Sequence, residues 1–195
     1  MATKSVLSRL DDQGHPQPGR RTAIDKQVRL YVGQMLELMY EGRGLGLAGP
    51  QVALPYQVFV MNLKADPNEK ESEKVFINPV IMDRKGSVEG EEGCLSFPGL
   101  FQKVRRARTI AFQAYDLEGK LVEGAAADLD ARVWQHEVDH LHGILFIDKM
   151  GPIAKMAVRG DLRKFEHDYR RAQARGEIPP DEEIEKLLRQ LEEAA

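Results

Sequence analysis

The sequence predicts an α+β fold, and three features carry the prediction. An amphipathic helical stripe comes first, short β-rich runs divided by turn residues follow it, and a later helical stretch bears two histidines on one face. In the first stripe Ile24, Val28, Tyr31, Val32, Met35, Leu36 and Met39 recur at the spacing of one helix face. Thr22 is placed to cap this helix and Gly42 or Gly44 to stop it. Its methionines read as core. Residues 58–63, 75–82, 109–115 and 120–124 are the expected strands. Asp66-Pro67-Asn68 and Leu117-Glu118-Gly119 supply turns between them. Residues 129–142 form the next expected helix, capped near Asp128, ended by Gly143, and buried along Leu129, Val133 and Leu141. A second long helix is expected over 152–174. Ile178-Pro179-Pro180 breaks it, and Asp181 opens a short, charged helix of marginal stability.

The chain has 195 residues, 42% of them hydrophobic, which suits one domain with a sizeable core. The formal net charge is −3, so no global basic excess calls for DNA. No apolar run approaches a membrane span, and the N-terminus lacks the apolar stretch of a secretory signal. A single cysteine fits a reducing, cytoplasmic compartment. Lys4, Arg9, Arg20 and Arg21 leave organellar targeting open, although Asp11 and Asp12 interrupt the basic pattern.

The most specific chemistry lies in His136-Glu137-Val138-Asp139-His140. On a helix this spacing sets the two imidazoles about 40° apart around the axis, within reach of one metal ion. The carboxylate between them can move a proton during hydrolysis. Cys94, in Glu91-Glu92-Gly93-Cys94-Leu95-Ser96, is the candidate third ligand. A Cys/His/His set leaves one tetrahedral position open, the arrangement of a catalytic site. The metzincin pattern fails, because Phe146 stands where its third His would be. His142, two positions past His140, should point away from the site. Glu166 is the third ligand that a zinc endopeptidase would need. A metal-binding interaction module without turnover is the other alternative, but such a module needs neither Glu137 nor Gln51.

Three segments resemble the peptide deformylases: Gly44-Leu45-Gly46-Leu47-Ala48-Gly49-Pro50-Gln51, Glu92-Gly93-Cys94-Leu95-Ser96 and Gln135-His136-Glu137-Val138-Asp139-His140. They follow the family's order. The resemblance implies short, mostly antiparallel β-sheets around a central metal-binding HExxH helix, with an N-terminal and a C-terminal helix. It implies a metal-dependent hydrolase that removes the N-formyl group from the formyl-methionine of newly made polypeptides and releases formate. Cys94, His136 and His140 would hold one divalent metal ion, with Fe²⁺ expected and Zn²⁺, Ni²⁺ or Co²⁺ as substitutes. Glu137 would carry the proton, and the Gln51 amide and Leu95 N–H would serve the oxyanion. Gly44, Leu45 and Gly46 would present backbone to the substrate. Gly93, Arg132 and Val133 would line its pocket, with Glu92 and Asp139 orienting ligands or the loop.

Two positions depart from the family pattern. Gly49 replaces an alanine and is expected to loosen its loop slightly. Arg132 stands where an apolar residue is familiar, and its guanidinium is expected to reach solvent past an apolar wall. The expected divisions are a poorly matched segment 1–21, a catalytic domain 22–175 and a charged tail 176–195. Arg159, Arg163, Lys164, Arg170, Arg171 and Arg175 make the second long helix basic, which suits a solvated face or a weak contact with ribosomal RNA.

Overall fold

The computed structural model describes residue 24 and residues 26–194. Thr22, the expected first cap, lies outside them. Helix α1 (Lys26–Glu41) buries Val28, Val32, Met35 and Met39, the expected stripe. It stops at Gly44, whose N–H reaches the Met39 carbonyl at 2.8 Å. The strands are β1 (Gly46–Ala48), β2 (Val58–Met61), β3 (Lys74–Lys85), β4 (Val88–Cys94), β5 (Phe97–Arg106), β6 (Thr109–Tyr115) and β7 (Leu121–Ala127). Five of them form an antiparallel sheet in the order β1-β2-β3-β6-β7, while β4 and β5 form a separate antiparallel hairpin.

The four expected strands correspond to β2, β3, β6 and β7. Pro79 is tolerated inside β3 because a register shift falls between Ile77 and Val80. The hairpin was not expected. Strand β4 reads Val-Glu-Gly-Glu-Glu-Gly-Cys, and glycine and glutamate are poor strand formers, so only cross-strand partners on β5 make it extended.

Helix α2 (Asp128–Leu141) is the most enclosed element. From Ala131 to Leu141 every residue except Asp139 is buried, and Gly143, at φ +70°, ends it as expected. Leu129 corrects one expectation: it lies on the first turn and is 49% exposed. Trp134 anchors the helix to the sheet, stacking on Phe112 at 4.1 Å and meeting Phe59 edge-on at 4.9 Å. Ala48, Phe76, Ile110 and Ala114 complete this core.

The C-terminal part comprises α3 (Phe146–Lys149), α4 (Pro152–Ala157), α5 (Arg159–Ala174) and α6 (Asp181–Ala194). The single helix expected over 152–174 is therefore two. They part at Val158, which is 3% exposed and packs into a cluster with Phe97, Leu100, Val104, Leu145, Phe146 and Met150. This burial holds a β-branched residue off helical geometry, and Gly160 weakens the next turn. The same cluster seats the hairpin. The tail helix α6 is longer than expected, and Arg170 and Gln173 bind the Asp181 carboxylate at its start, at 2.6 and 2.7 Å.

Trp134→Ala is expected to cost about 3–5 kcal/mol, because it empties the aromatic contact between α2 and the sheet. Urea unfolding followed by far-UV circular dichroism measures the change. A loss below about 1 kcal/mol would mean that α2 is held in place by other contacts.

Candidate active site

The three motif segments converge although they lie on different elements. Gln51 sits on a 3₁₀ turn (Gly49–Val52) after β1, Cys94 closes β4, and His136, Glu137 and His140 line one face of α2. Cys94 Sγ lies 3.2 Å from His140 Nε2, which lies 3.1 Å from His136 Nε2. One ligand atom from each of Cys94, His136 and His140 falls within 4.8 Å of the other two. Donors about 2.0–2.3 Å from a shared tetrahedral ion stand about 3.3–3.6 Å apart, so the cluster has the size and donor chemistry to hold one. Glu166, exposed on α5, is not part of it. His142 is exposed and bonds the Val138 carbonyl at 2.7 Å, away from the cluster as expected.

A cavity of about 680 Å³ opens beside the cluster. Gly44, Leu45, Gly46, Gln51, Glu92, Gly93, Cys94, Leu95, Arg132, Val133, His136 and Glu137 all line it. Of the residues singled out for the site, His140, 2% exposed, and Asp139 do not line it. The lining also includes Arg43, Glu91, Phe101 and Leu129, which the motifs did not indicate.

Local packing explains the glycines. A Cβ on Gly46 would stand 2.5 Å from Glu137 Oε1, so only glycine lets β1 pass the carboxylate. A Cβ on Gly49 would meet the Tyr56 carbonyl at 2.9 Å. Gly49 thus permits close packing where a looser loop was expected. Gln51 Oε1 accepts from the Ala48 N–H at 2.9 Å, which fixes the amide. Its Nε2 then faces Ser96 Oγ at 3.1 Å and Cys94 Sγ at 3.7 Å.

Glu137 is buried, and its Oε2 has no hydrogen-bond partner among the described residues. Burial raises its carboxyl to about 7, against the pull of His136 and Arg106. Glu92 behaves oppositely. Burial alone would raise it, but hydrogen bonds from His136 and Arg106 outweigh that and hold it at about 2. His136 Nδ1 meets Glu92 Oε2 at 3.1 Å, which turns Nε2 of the same ring toward the cluster. Burial lowers His140 below the usual imidazole range.

Arg106 was missed in the sequence. Its Nε and Nη2 each donate to Glu92 at 2.9 Å, and its Nη1 pairs closely with Asp139. A signal existed: Arg106 continues the inward alternation of Leu100 and Val104 along β5, where a buried cation needs a buried carboxylate. Arg132 requires a correction. It is 8% exposed, and its guanidinium bonds Glu92 Oε1 at 2.6 Å instead of reaching solvent. Helix period places residue 132 one turn before His136, hence beside Glu92, and the buried carboxylate holds the guanidinium inside.

Glu92→Gln removes the negative charge and one of the two acceptor oxygens shared by two buried guanidinium groups, and should cost about 3–5 kcal/mol at neutral pH. The native carboxyl titrates near 2 against 4.5 for the free group, so its stabilisation is complete above about 4.5 and fades as pH falls toward 2. Melting curves of both proteins across that range should converge at the acid end. A gap that stays constant down to pH 2 would exclude this linkage.

Comparison with known proteins agrees with the geometry. The family model for polypeptide deformylases matches residues 12–156, which takes in part of the segment that the motifs did not reach. A peptide deformylase of Rhodopirellula baltica is 41% identical over 80% of this chain and 77% of its own length. One of Neisseria gonorrhoeae is 37% identical over 84% of this chain and 96% of its own. A solved peptide deformylase of Plasmodium falciparum superposes with a TM-score of 0.76 at 34% identity, over 85% of this chain and 96% of that one. With this likeness across most of its length, and with its three motifs meeting in one cavity, the chain belongs to the peptide deformylase family.

Proposed function

We propose that this metal-dependent hydrolase removes the formyl group from new polypeptides through Glu137, Gln51 and Leu95, with Cys94, His136 and His140 holding its metal. The observation that carries this reading is the convergence of the three donor atoms beside the cavity that Cys94, His136 and the buried Glu137 line, Glu137 Oε2 having no hydrogen-bond partner among the described residues. A bound divalent ion supplies Lewis acidity and lowers the pKa of water toward neutrality.

Glu137 takes the proton of the attacking water and delivers it to the departing amine as the formyl C–N bond breaks and formate forms. The Gln51 amide and the Leu95 backbone N–H donate to the oxyanion that develops on the formyl carbonyl. Ala48 supports this role by holding the Gln51 carbonyl, which leaves the NH₂ end directed toward Cys94 and Ser96. Gly44, Leu45 and Gly46 present backbone to an extended peptide. Gly93 and Val133 line the methionine pocket with exposed Leu129. Arg132 contributes its buried stem there, its charge being met by Glu92.

Ferrous iron is the proposed ion, with Zn²⁺, Ni²⁺ or Co²⁺ as substitutes, since a mixed thiolate and imidazole site accepts all four. The proposed catalytic domain is residues 22–175, followed by the charged tail 176–195. Cytoplasmic placement is supported by the lone cysteine and by bacterial relatives. No helix among the described residues is long and apolar enough to cross a membrane. The substrates are N-formyl-methionyl nascent polypeptides. Arg159, Arg163 and Arg171, exposed on α5, support a weak, salt-sensitive contact with the ribosome, while Arg170 and Arg175 pair with Asp181 and Glu177.

Formate release from a formyl-Met peptide tests the assignment of roles. Cys94→Ala, His136→Ala and His140→Ala should lose metal and turnover together. Glu137→Gln should keep fold and metal but lose about 10²–10⁴ in kcat. Stoichiometric metal and undiminished turnover in Cys94→Ala would move the third ligand elsewhere. The base must be ionised, so kcat/KM should fall on the acid side as Glu137 takes up a proton, burial moving that limb up in pH and the bound cation moving it down. Turnover by Glu137→Gln equal to wild type, with metal retained, would remove Glu137 from that role.

The iron form should lose activity in air through oxidation of the metal and then of the Cys94 sulfur, and the nickel form more slowly. Equal rates for the two forms would count against iron-centred damage.

A further inference from the structure

The hairpin that carries Cys94 is a sheet of its own, whereas α2, which carries the histidines, packs on the other sheet. The position of the sulfur relative to the imidazoles therefore depends on what ties these two units together. Arg132 reaches across more completely than a pocket residue would. From α2 its Nη1 donates to Glu92 Oε1 at 2.6 Å, to the Val104 carbonyl at 2.9 Å and to the Gly90 carbonyl at 3.3 Å. Its Nη2 donates to the Val88 carbonyl at 3.1 Å. These acceptors belong to both strands of the hairpin. The backbone is shaped around the group, since a Cβ on Gly90 would lie 2.8 Å from Nη2.

We propose that Arg132 is a positioning residue that locks the Cys94 hairpin onto the histidine helix and so sets the sulfur against the two imidazoles. This rests on the reading of Cys94, His136 and His140 as metal ligands. Charge alone does not account for Arg132, because Arg106 already meets both oxygens of Glu92. The backbone bonds are the distinguishing feature. A guanidinium holds its N–H groups in a rigid planar fork and can bind carbonyls on two strands at once, whereas a lysine ammonium on a flexible stem cannot reproduce that set.

The test uses the full chain loaded with Co²⁺, in wild type, Arg132→Met, Arg132→Lys, Gly90→Ala and Cys94→Ser. Two quantities are read well below each melting temperature: the near-ultraviolet sulfur-to-cobalt band and the rate of cobalt release to a chelator. Arg132→Met and Gly90→Ala should release cobalt about tenfold to a hundredfold faster than wild type, with a weakened band. Arg132→Lys should recover only part of the difference. Gly90→Ala deletes no core side chain but crowds the Arg132 guanidinium, and it carries the test if Arg132→Met does not fold. Release within twofold of wild type and an unchanged band in Gly90→Ala and in folded Arg132→Met would overturn the proposal, even with a lowered melting temperature. Cys94→Ser separates the two readings. If it loses the band while the Arg132 and Gly90 variants match wild type, only the positioning role fails. If it keeps the wild-type band and release rate, the ligand assignment fails, and the positioning role fails with it.

Discussion

The Glu92 carboxylate, enclosed between the hairpin and α2, accepts hydrogen bonds from Arg106, Arg132 and the His136 ring. Buried charges are costly unless they are paired and fully hydrogen-bonded. Here two guanidinium groups face two carboxylates, those of Glu92 and Asp139, and four of the guanidinium bonds end on Glu92 or Asp139. Glu92 is the member both guanidinium groups share, so removing its carboxylate would strip each of them of a charged partner. Through it the orientation of one histidine, the seating of the hairpin and the charge balance of α2 become one constraint.

The carboxylates around the cavity are separated by environment. Glu92 is surrounded by donors and stays ionised across the working pH range, while Glu137 is buried without an equivalent set and rises toward neutrality. One therefore suits a structural and ligand-orienting task and the other a proton-moving task. The glycine at position 46 belongs to this division, because it brings β1 against Glu137 where a side chain would displace the carboxylate.

Much of this was legible in the sequence. Period and spacing identified α1, four strands and the histidine face of α2, and the motif segments named Gln51, Cys94, Leu95, His136 and Glu137 among the residues that line the cavity. Other features were hidden because they depend on contacts distant in the chain. Strand β4 is rich in glycine and glutamate and becomes extended only against β5, so the backbone partners of Arg132 could not be placed. Arg132 was expected to reach water because a long cation normally does, and a buried carboxylate from another element reversed that. Val158 divided a helix that its local pattern would continue, because the core beneath the hairpin draws it in. Gly49 misled for the same reason, since its neighbour is the carbonyl of Tyr56 and not a side chain near in sequence.

The central claim is that a separate hairpin and a buried helix bring one sulfur and two imidazoles to a single ion. X-ray absorption on the metal-loaded protein tests it most directly. The account predicts one sulfur at about 2.3 Å and two imidazole nitrogens at about 2.0–2.1 Å in the metal's shell, with the sulfur absent in Cys94→Ser. A shell of nitrogen and oxygen alone in the wild-type protein would contradict it.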